Sequence, residues 1–290
     1  MTTTSTYIVV GPVSIDGMTA QQPDIVAGFP APTAVAGLGH KFALDLSAAL
    51  GGIVKSGGAA VIVHDHSVMA GHVKLPLEDK AKIRANKGAS ILDEMRARVT
   101  VSLVFALEFM QDVQDAVLIE EAEKLVPAMY FGGGKVFPSI GGHRSKVLVA
   151  KGQDGLTSAL YEIPAGFALL DRSDLLEAST ENKDPLDALL DIIEFVPHDT
   201  GEGEPRYTRR LPGWLVPVFV GYQAIERRKV RSGLRHAAAI GHVFAESIYS
   251  VGEFRSLRGM LAKDPETLSS AFWKHRHNPQ TETYFVSAAI

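Results

Sequence analysis

There is no cysteine among the 290 residues, which removes disulfides and thiolate metal sites and is compatible with a reducing compartment. There is no apolar run near the roughly 20 residues that a membrane-spanning helix requires. The opening residues, Met1-Thr2-Thr3-Thr4-Ser5-Thr6, lack the positive charge and apolar stretch of a secretory signal. A soluble cytoplasmic protein with no membrane partner is therefore expected. Disorder-prone composition is absent too: 46% of residues are hydrophobic and 21% charged, enough apolar material for a sizeable core. No internal repeat and no long linker divides the chain. The expectation is a single domain over residues 1–290, with a core at 6–138 and a C-terminal elaboration at 139–290.

Most enzyme signatures are missing as well. Gly132-Gly133-Gly134-Lys135 resembles a phosphate loop, but the Walker spacing would need glycine at Met129 and Ser or Thr at Val136. No dinucleotide fingerprint follows the first strand, and there is no nucleophile elbow. His64-Asp65-His66, with His72 beyond, places two imidazoles at i and i+2, on one face of a regular strand. A third ligand is not evident, and a structural or surface role is favoured over metal. His275-Arg276-His277 is read likewise, as a helix end. His40 lies inside a helix, where it is a packed or interface histidine; the alternative is a general base in a ribonuclease. No cofactor and no metal are expected.

What the chain does have is an uneven distribution of charge. The net charge is −4, yet from Arg206 to Arg276 there are 13 Lys and Arg against 5 Asp and Glu. Phosphate binding needs a local positive field rather than a positive total. Arg206, Arg209 and Arg210 precede Trp214, and Arg227, Arg228, Lys229, Arg231 and Arg235 follow Tyr222. Guanidinium groups grip phosphates in forked geometry and neighbouring aromatics stack on unpaired bases, although for Trp214 core packing is favoured over stacking.

Periodicity predicts strands at Tyr7–Val13, Arg98–Phe109 and Tyr130–Phe137, and a strand or hairpin at Ala59–Val73. It predicts helices at Ala34–Leu50, with Thr33 as cap and Gly51-Gly52 as stop, and at Gln111–Val126. Leu75–Gly88 reads as a loop or short helix. The order strand, helix, strand, strand, helix, strand is the split βαβ unit. The fold class is thus α+β, an RNA-recognition-motif-like (ferredoxin-like) core with C-terminal and loop insertions. Further on, Phe167–Leu170 reads as a strand, Ser173 as the cap of a short helix through Leu176, and Asp184 with Pro185 as the start of a helix over Leu186–Phe195. His198–Pro205 reads as a loop, Trp214–Tyr222 as a buried strand, Ala237–Tyr249 and Glu266–Trp273 as helices, and Thr281–Val286 as a final strand.

Several segments, in order along the chain, resemble one family. Gly28-Phe29-Pro30-Ala31-Pro32-Thr33-Ala34 with Gly37 and His40 is similar to a segment of the second Csy subunit of type I-F CRISPR surveillance complexes, a branch of the Cas/RAMP superfamily. Ala89-Ser90-Ile91 with Val101-Ser102-Leu103, Pro164 to Leu169, and Asp187 to Asp191 resemble further segments. Pro212-Gly213-Trp214-Leu215-Val216-Pro217, continuing to Gly221-Tyr222, is the most specific stretch. Phe244-Ala245-Glu246-Ser247 and Gly252-Glu253 complete the series, with Phe254 where the family has tryptophan.

The resemblance implies an RNA-recognition-like domain that binds the 5′ handle of guide RNA (crRNA) and catalyses nothing. Its partners would be the large subunit and the first backbone subunit of the complex, with target DNA near the handle end. Candidate RNA contacts are Phe29, His40, Arg209, Arg210, Arg227, Arg228, Lys229, Arg231 and Arg235, the resemblance itself pointing to Arg231 and Arg235. The chain departs from the family at Ser14-Ile15-Asp16-Gly17-Met18, in a shorter Pro138–Pro164 region and in the spacing around Val230-Arg231. Two other readings stay open: a crRNA-processing endoribonuclease on the same fold, and a protein-only scaffold.

Overall fold

The computed structural model describes residues 5–23, 26–52, 54–74, 92–180, 183–198, 206–231 and 241–288. The readings for Leu75–Gly88, for Ala89-Ser90-Ile91, for residues 199–205 and for Arg235 lie outside these residues. The protein is a mixed α+β structure built on one large antiparallel sheet.

Strand β1 (Thr6–Thr19) buries Ile8, Val10, Val13 and Ile15 on one face. Helix α1 (Pro32–Leu50) follows. Its first residue is Pro32, whose missing N–H is not needed at that position, so the start lies earlier than a cap at Thr33 would place it. Gly51 ends it in the left-handed region (φ 63°), donating its N–H to Ser47 O. The buried residues Val35, Leu38, Phe42 and Leu46 form one stripe, and Phe42 stacks on Phe105 at 4.1 Å.

Strands β2 (Val54–Lys74) and β3 (Leu92–Phe109) are longer than the sequence pattern predicts, and they pair antiparallel along their length. Helix α2 (Asp115–Leu125) packs Leu118 and Ala122 into the same core as α1. The strand-like segment Tyr130–Phe137 is a small hairpin, β4 (Tyr130–Phe131) and β5 (Gly134–Phe137). β5 pairs with β1 at Ser14–Asp16. A further short pair, β6 (Ser139–Ile140) and β7 (His143–Arg144), follows. Then β8 (Lys146–Lys151), which the sequence pattern missed, pairs with β1 from Thr6 to Gly11. The order β8-β1-β3-β2 results, antiparallel throughout, so the pairing of β1 continues past residue 138.

The second face of this sheet is covered as well. Helix α3 (Gly152–Glu162) sets Leu156, Ala159 and Leu160 against Val9, Ala60, Ile62, Val104 and Ala106. Strand β9 (Phe167–Asp171) pairs with β2 at Ile62 and Val63. Helices α4 (Ser173–Ser179) and α5 (Pro185–Ile193) come next. Asp184 caps α5, accepting from Leu186 N at 2.9 Å. Ser173 is inside α4 rather than its cap, and its own N–H goes to Asp171 Oδ1.

Strands β10 (Phe195–His198) and β11 (Arg206–Arg209) make a hairpin. Strand β12 (Trp214–Ala224) pairs with β13 (Ala245–Ser256), so residues 245–249 are strand, not the end of a helix. Helix α6 (Leu257–Lys263) and a 3-10 segment (Pro265–Ala271) complete the second layer. Strands β14 (Trp273–Asn278) and β15 (Thr283–Ala288) extend the sheet beyond β12, and Trp273 pairs back to Ala59 of β2.

Gly221 sits where the register of β12 shifts. A Cβ there would lie 2.0 Å from the Tyr284 carbonyl oxygen and 2.6 Å from Phe285 Cα. Those are backbone atoms of β15 and cannot swing aside. Gly221→Ala is therefore expected to lower stability by about 1–3 kcal/mol or more, read as the shift of a urea-unfolding midpoint. An unchanged midpoint would show that β15 does not pack on β12 this closely.

Candidate nucleic-acid interface

The basic segment does not form one patch. Arg209 and Arg210 precede one end of β12 and Arg227, Arg228, Lys229 and Arg231 follow the other, and its eleven residues span roughly 30 Å. At the Trp214 end, Arg209 donates Nη1 to Leu215 O (2.6 Å) and its guanidinium covers the Phe195 ring at 4.5 Å. Arg210 faces Glu194 (2.5 Å) and Asp191 (3.8 Å). Arg172 reaches Asp174 and Glu253, and Arg255 lies 3.7 Å from Glu253. Each cation here that meets a carboxylate is largely neutralised, and Arg209 serves to hold the hairpin.

At the Ala224 end, residues 225–231 and 241–244 run antiparallel. Ile225 N donates to Phe244 O, and Lys229 and His242 exchange two backbone hydrogen bonds. Glu226 lies between the arms. It accepts from Lys229 Nζ (2.9 Å), from Arg231 and from Phe244 N (3.2 Å). Arg231 also covers the Phe244 ring at 4.3 Å. Arg228 lies 3.8 Å from Glu282. Arg227 is exposed and has no ion pair among the described residues. Four cations thus stand against three carboxylates, Glu226, Glu282 and the exposed Glu246 opposite Gln223, and a small excess of positive charge sits at this end. In these pairs Arg228 and Lys229 are exposed while Glu226 and Glu282 are half-buried, and partly exposed pairs of this kind are of low individual worth.

The other candidates are scattered. Phe29 is only 7% exposed and packs in the core against Phe131 and Phe254. His40 is exposed on α1, its ring 6.3 Å from that of His275. Burial, and then the neighbouring His40, push His275 below the ordinary imidazole range.

The i, i+2 spacing of His64 and His66 does not put them on one face. A register shift between Val63 and Asp65 turns His64 to Ser102 Oγ (2.7 Å), while His66 reaches Gly28 O (2.7 Å) on the other face. Burial pushes His64 below the ordinary imidazole range. Among the described residues no group of three or more His, Asp or Glu gathers to hold a metal.

Sequence reasoning missed two features. Trp214 is not a core residue: it is 49% exposed, on the rim of an apolar cavity of about 430 Å³ lined by Phe29, His66, Phe167, Leu169 and Phe254 among others. Second, His275 and His277 lie on a strand rather than at a helix end, beside exposed tyrosines. The signal that could have shown this is the alternation in His275-Arg276-His277 itself.

An α+β protein with a cationic hairpin at the end of a long antiparallel strand is the class these observations define. The chain matches the family described as CRISPR-associated protein (Cas_Csy2) over residues 8–286, and it belongs to that family. It is also similar to the CRISPR-associated protein Csy2 of Pseudomonas aeruginosa (strain UCBPP-PA14), with 26% identity over 313 residues, covering 94% of this chain and 92% of that one. Among the described residues no helix is long and apolar enough to cross a membrane.

Lys229, then the Phe244 amide and Arg231, hold the Glu226 carboxyl down to about 2. A depressed carboxyl stabilises the fold above its unfolded range, and that contribution is lost as pH falls toward 2. Amide exchange at 225–231 and 241–244, corrected for its intrinsic pH dependence, should be slow near pH 5 and lose protection on acidification. In Glu226→Gln the protection should be weaker and no longer follow pH. Acid-insensitive protection in the unaltered protein would remove Glu226 as the clasp.

Proposed function

We propose that this chain is the non-catalytic subunit that caps the 5′ handle of crRNA in a type I-F CRISPR surveillance complex, docking there with the large subunit and the first backbone subunit. The observation that carries this reading is membership of the Csy2 family along nearly the whole chain, residues 8–286. The charge distribution supports this reading. The antiparallel arms 225–231 and 241–244 concentrate positive charge, and Arg227, Arg228 and Lys229 are exposed there.

The order β8-β1-β3-β2 with α1 and α2 on one face supports a ferredoxin-like, RNA-recognition-motif-like core. The face on which such a domain would stack bases is closed here by α3, α6 and the 3-10 segment. RNA therefore binds outside that face, at the hairpin and the strands next to it.

A second reading, metal-independent cleavage of repeat RNA, is favoured by the approach of His40 to His275, since two imidazoles can share general acid and base roles. Incubation of repeat RNA with the protein in EDTA decides between them: no product is expected, and product lost in His40→Ala would establish the nuclease.

Replacing Arg227 and Arg228 together by alanine is expected to weaken handle binding about equally for every handle sequence. It should also reduce the slope of log affinity against log salt by about 1 to 2. The same double change at Arg209 and Arg210 is expected to leave the slope unaltered. Filter binding of the assembled complex over a salt series measures both. An unaffected slope in the first variant would take the hairpin out of the interface.

A further inference from the structure

The cationic hairpin continues into a row of exposed rings. Tyr222 on β12 is paired directly opposite Tyr284 on β15, and Tyr284 directly opposite His277 on β14. Directly paired residues of antiparallel strands share a face, so the three lie side by side across three strands. Tyr222 is 48% exposed and Tyr284 56% exposed, and His277 is exposed as well. The rings of His277 and Tyr284 are already stacked, with centroids 4.2 Å apart and planes 19° apart. Tyr222 leans on Phe219 at 4.9 Å.

Core packing does not account for this row. Two places farther along β15 on the same face, Val286 is 2% exposed and belongs to the core. The core stops there and the rings begin. Arg228 approaches Glu282, two residues before Tyr284, so the cationic hairpin adjoins the end of the row.

We infer that Tyr284 and His277, with Tyr222 beside them, form a stacking site for unpaired nucleobases of a single RNA strand whose phosphates are held by Arg227 and Arg228. This rests on the reading that the chain binds guide RNA, and it adds where the bases go. A base extends a stack already two rings long. Because every base has a π-face, the contact tolerates any sequence. The closed face of the β8-β1-β3-β2 sheet leaves stacking to this second region of the sheet. An apolar protein surface is the other class of occupant, but the adjacent surplus of positive charge favours a polyanion.

The test uses the assembled complex with handle RNAs that carry 2-aminopurine at successive positions. Stacking quenches its fluorescence at one or two positions in the unaltered complex. Tyr284→Ala with His277→Ala should restore that fluorescence and weaken binding about 10-fold or more, with the salt slope unchanged. Tyr284→Phe should keep the quenching, which separates stacking from a folding defect. Loss of affinity on changing Arg227 and Arg228, with quenching untouched by the ring variant, would overturn the stacking site and leave the RNA reading standing. Absence of any effect from either variant would overturn both. If the ring variant released a protein subunit from the RNase-treated complex, the row would be a protein contact and the inference would be wrong.

Discussion

The far edge of β2 is the constraint on which the C-terminal half depends. One edge of β2 is occupied by β3 along its whole length. The other is shared between β9 at Ile62 and Val63 and β14 at Ala59. Each contact is short, so what closes the joint is packing. Trp273 is fully buried and its indole N–H reaches Leu169 O at 3.0 Å. Gly58, with φ 125°, brings the backbone within reach of the Phe272 and Trp273 carbonyls, each 3.3 Å from where a Cβ would be. A side chain there would push β14 off β2. With β14 fixed, β15 and β12 follow through their ladders, and the hairpin at the end of β12 acquires its position relative to α1 and the core.

That chain of dependence explains why the basic residues act differently from their sequence neighbours. Arg209 and Arg227 are separated by a strand that carries the chain from one end of the sheet to the other. At one end, guanidinium groups meet Asp174, Asp191, Glu194 and Glu253. Glu253 is nearly buried, 6% exposed, so its partners are bound to a group that cannot be left unpaired without cost. At the other end the half-buried Glu226 and Glu282 are outnumbered by cations. A local charge count along the sequence sums these two environments, and only the strand geometry separates them.

The parts of the fold legible in the sequence are those set by local rules. β1, α1 and β3 carry clear periodicity, and Asp184-Pro185 and Gly51 are caps whose chemistry needs no tertiary information. What was not legible was decided at longer range. α3 begins with Gly152 and contains Gly155, so its helical signal is weak until Leu156, Ala159 and Leu160 find Ile62 and Val104. Residues 245–249 follow an alanine-rich stretch and look helical, yet the β12 ladder makes them strand. The pairing of His64 with His66 fails at a bulge that no local pattern announces. Of the site, the positive charge at Arg227–Arg231 was visible, but the row of Tyr222, Tyr284 and His277 was not. Its members lie far apart in sequence and meet only through register.

Both faces of the β8-β1-β3-β2 sheet are buried, and this limits where a polyanion can bind. A charged backbone cannot enter layers filled by Leu156, Leu160, Leu257 and Met260 on one face or Phe42, Phe105 and Trp273 on the other. The surface open to it must combine positive charge with exposed backbone edges or rings. The Ala224 end of β12 meets that condition, because the hairpin supplies cations at the point where the core on β15 gives way to Tyr284. On the proposed reading, the same burial that makes the central sheet stable displaces recognition to the strands hung from β2.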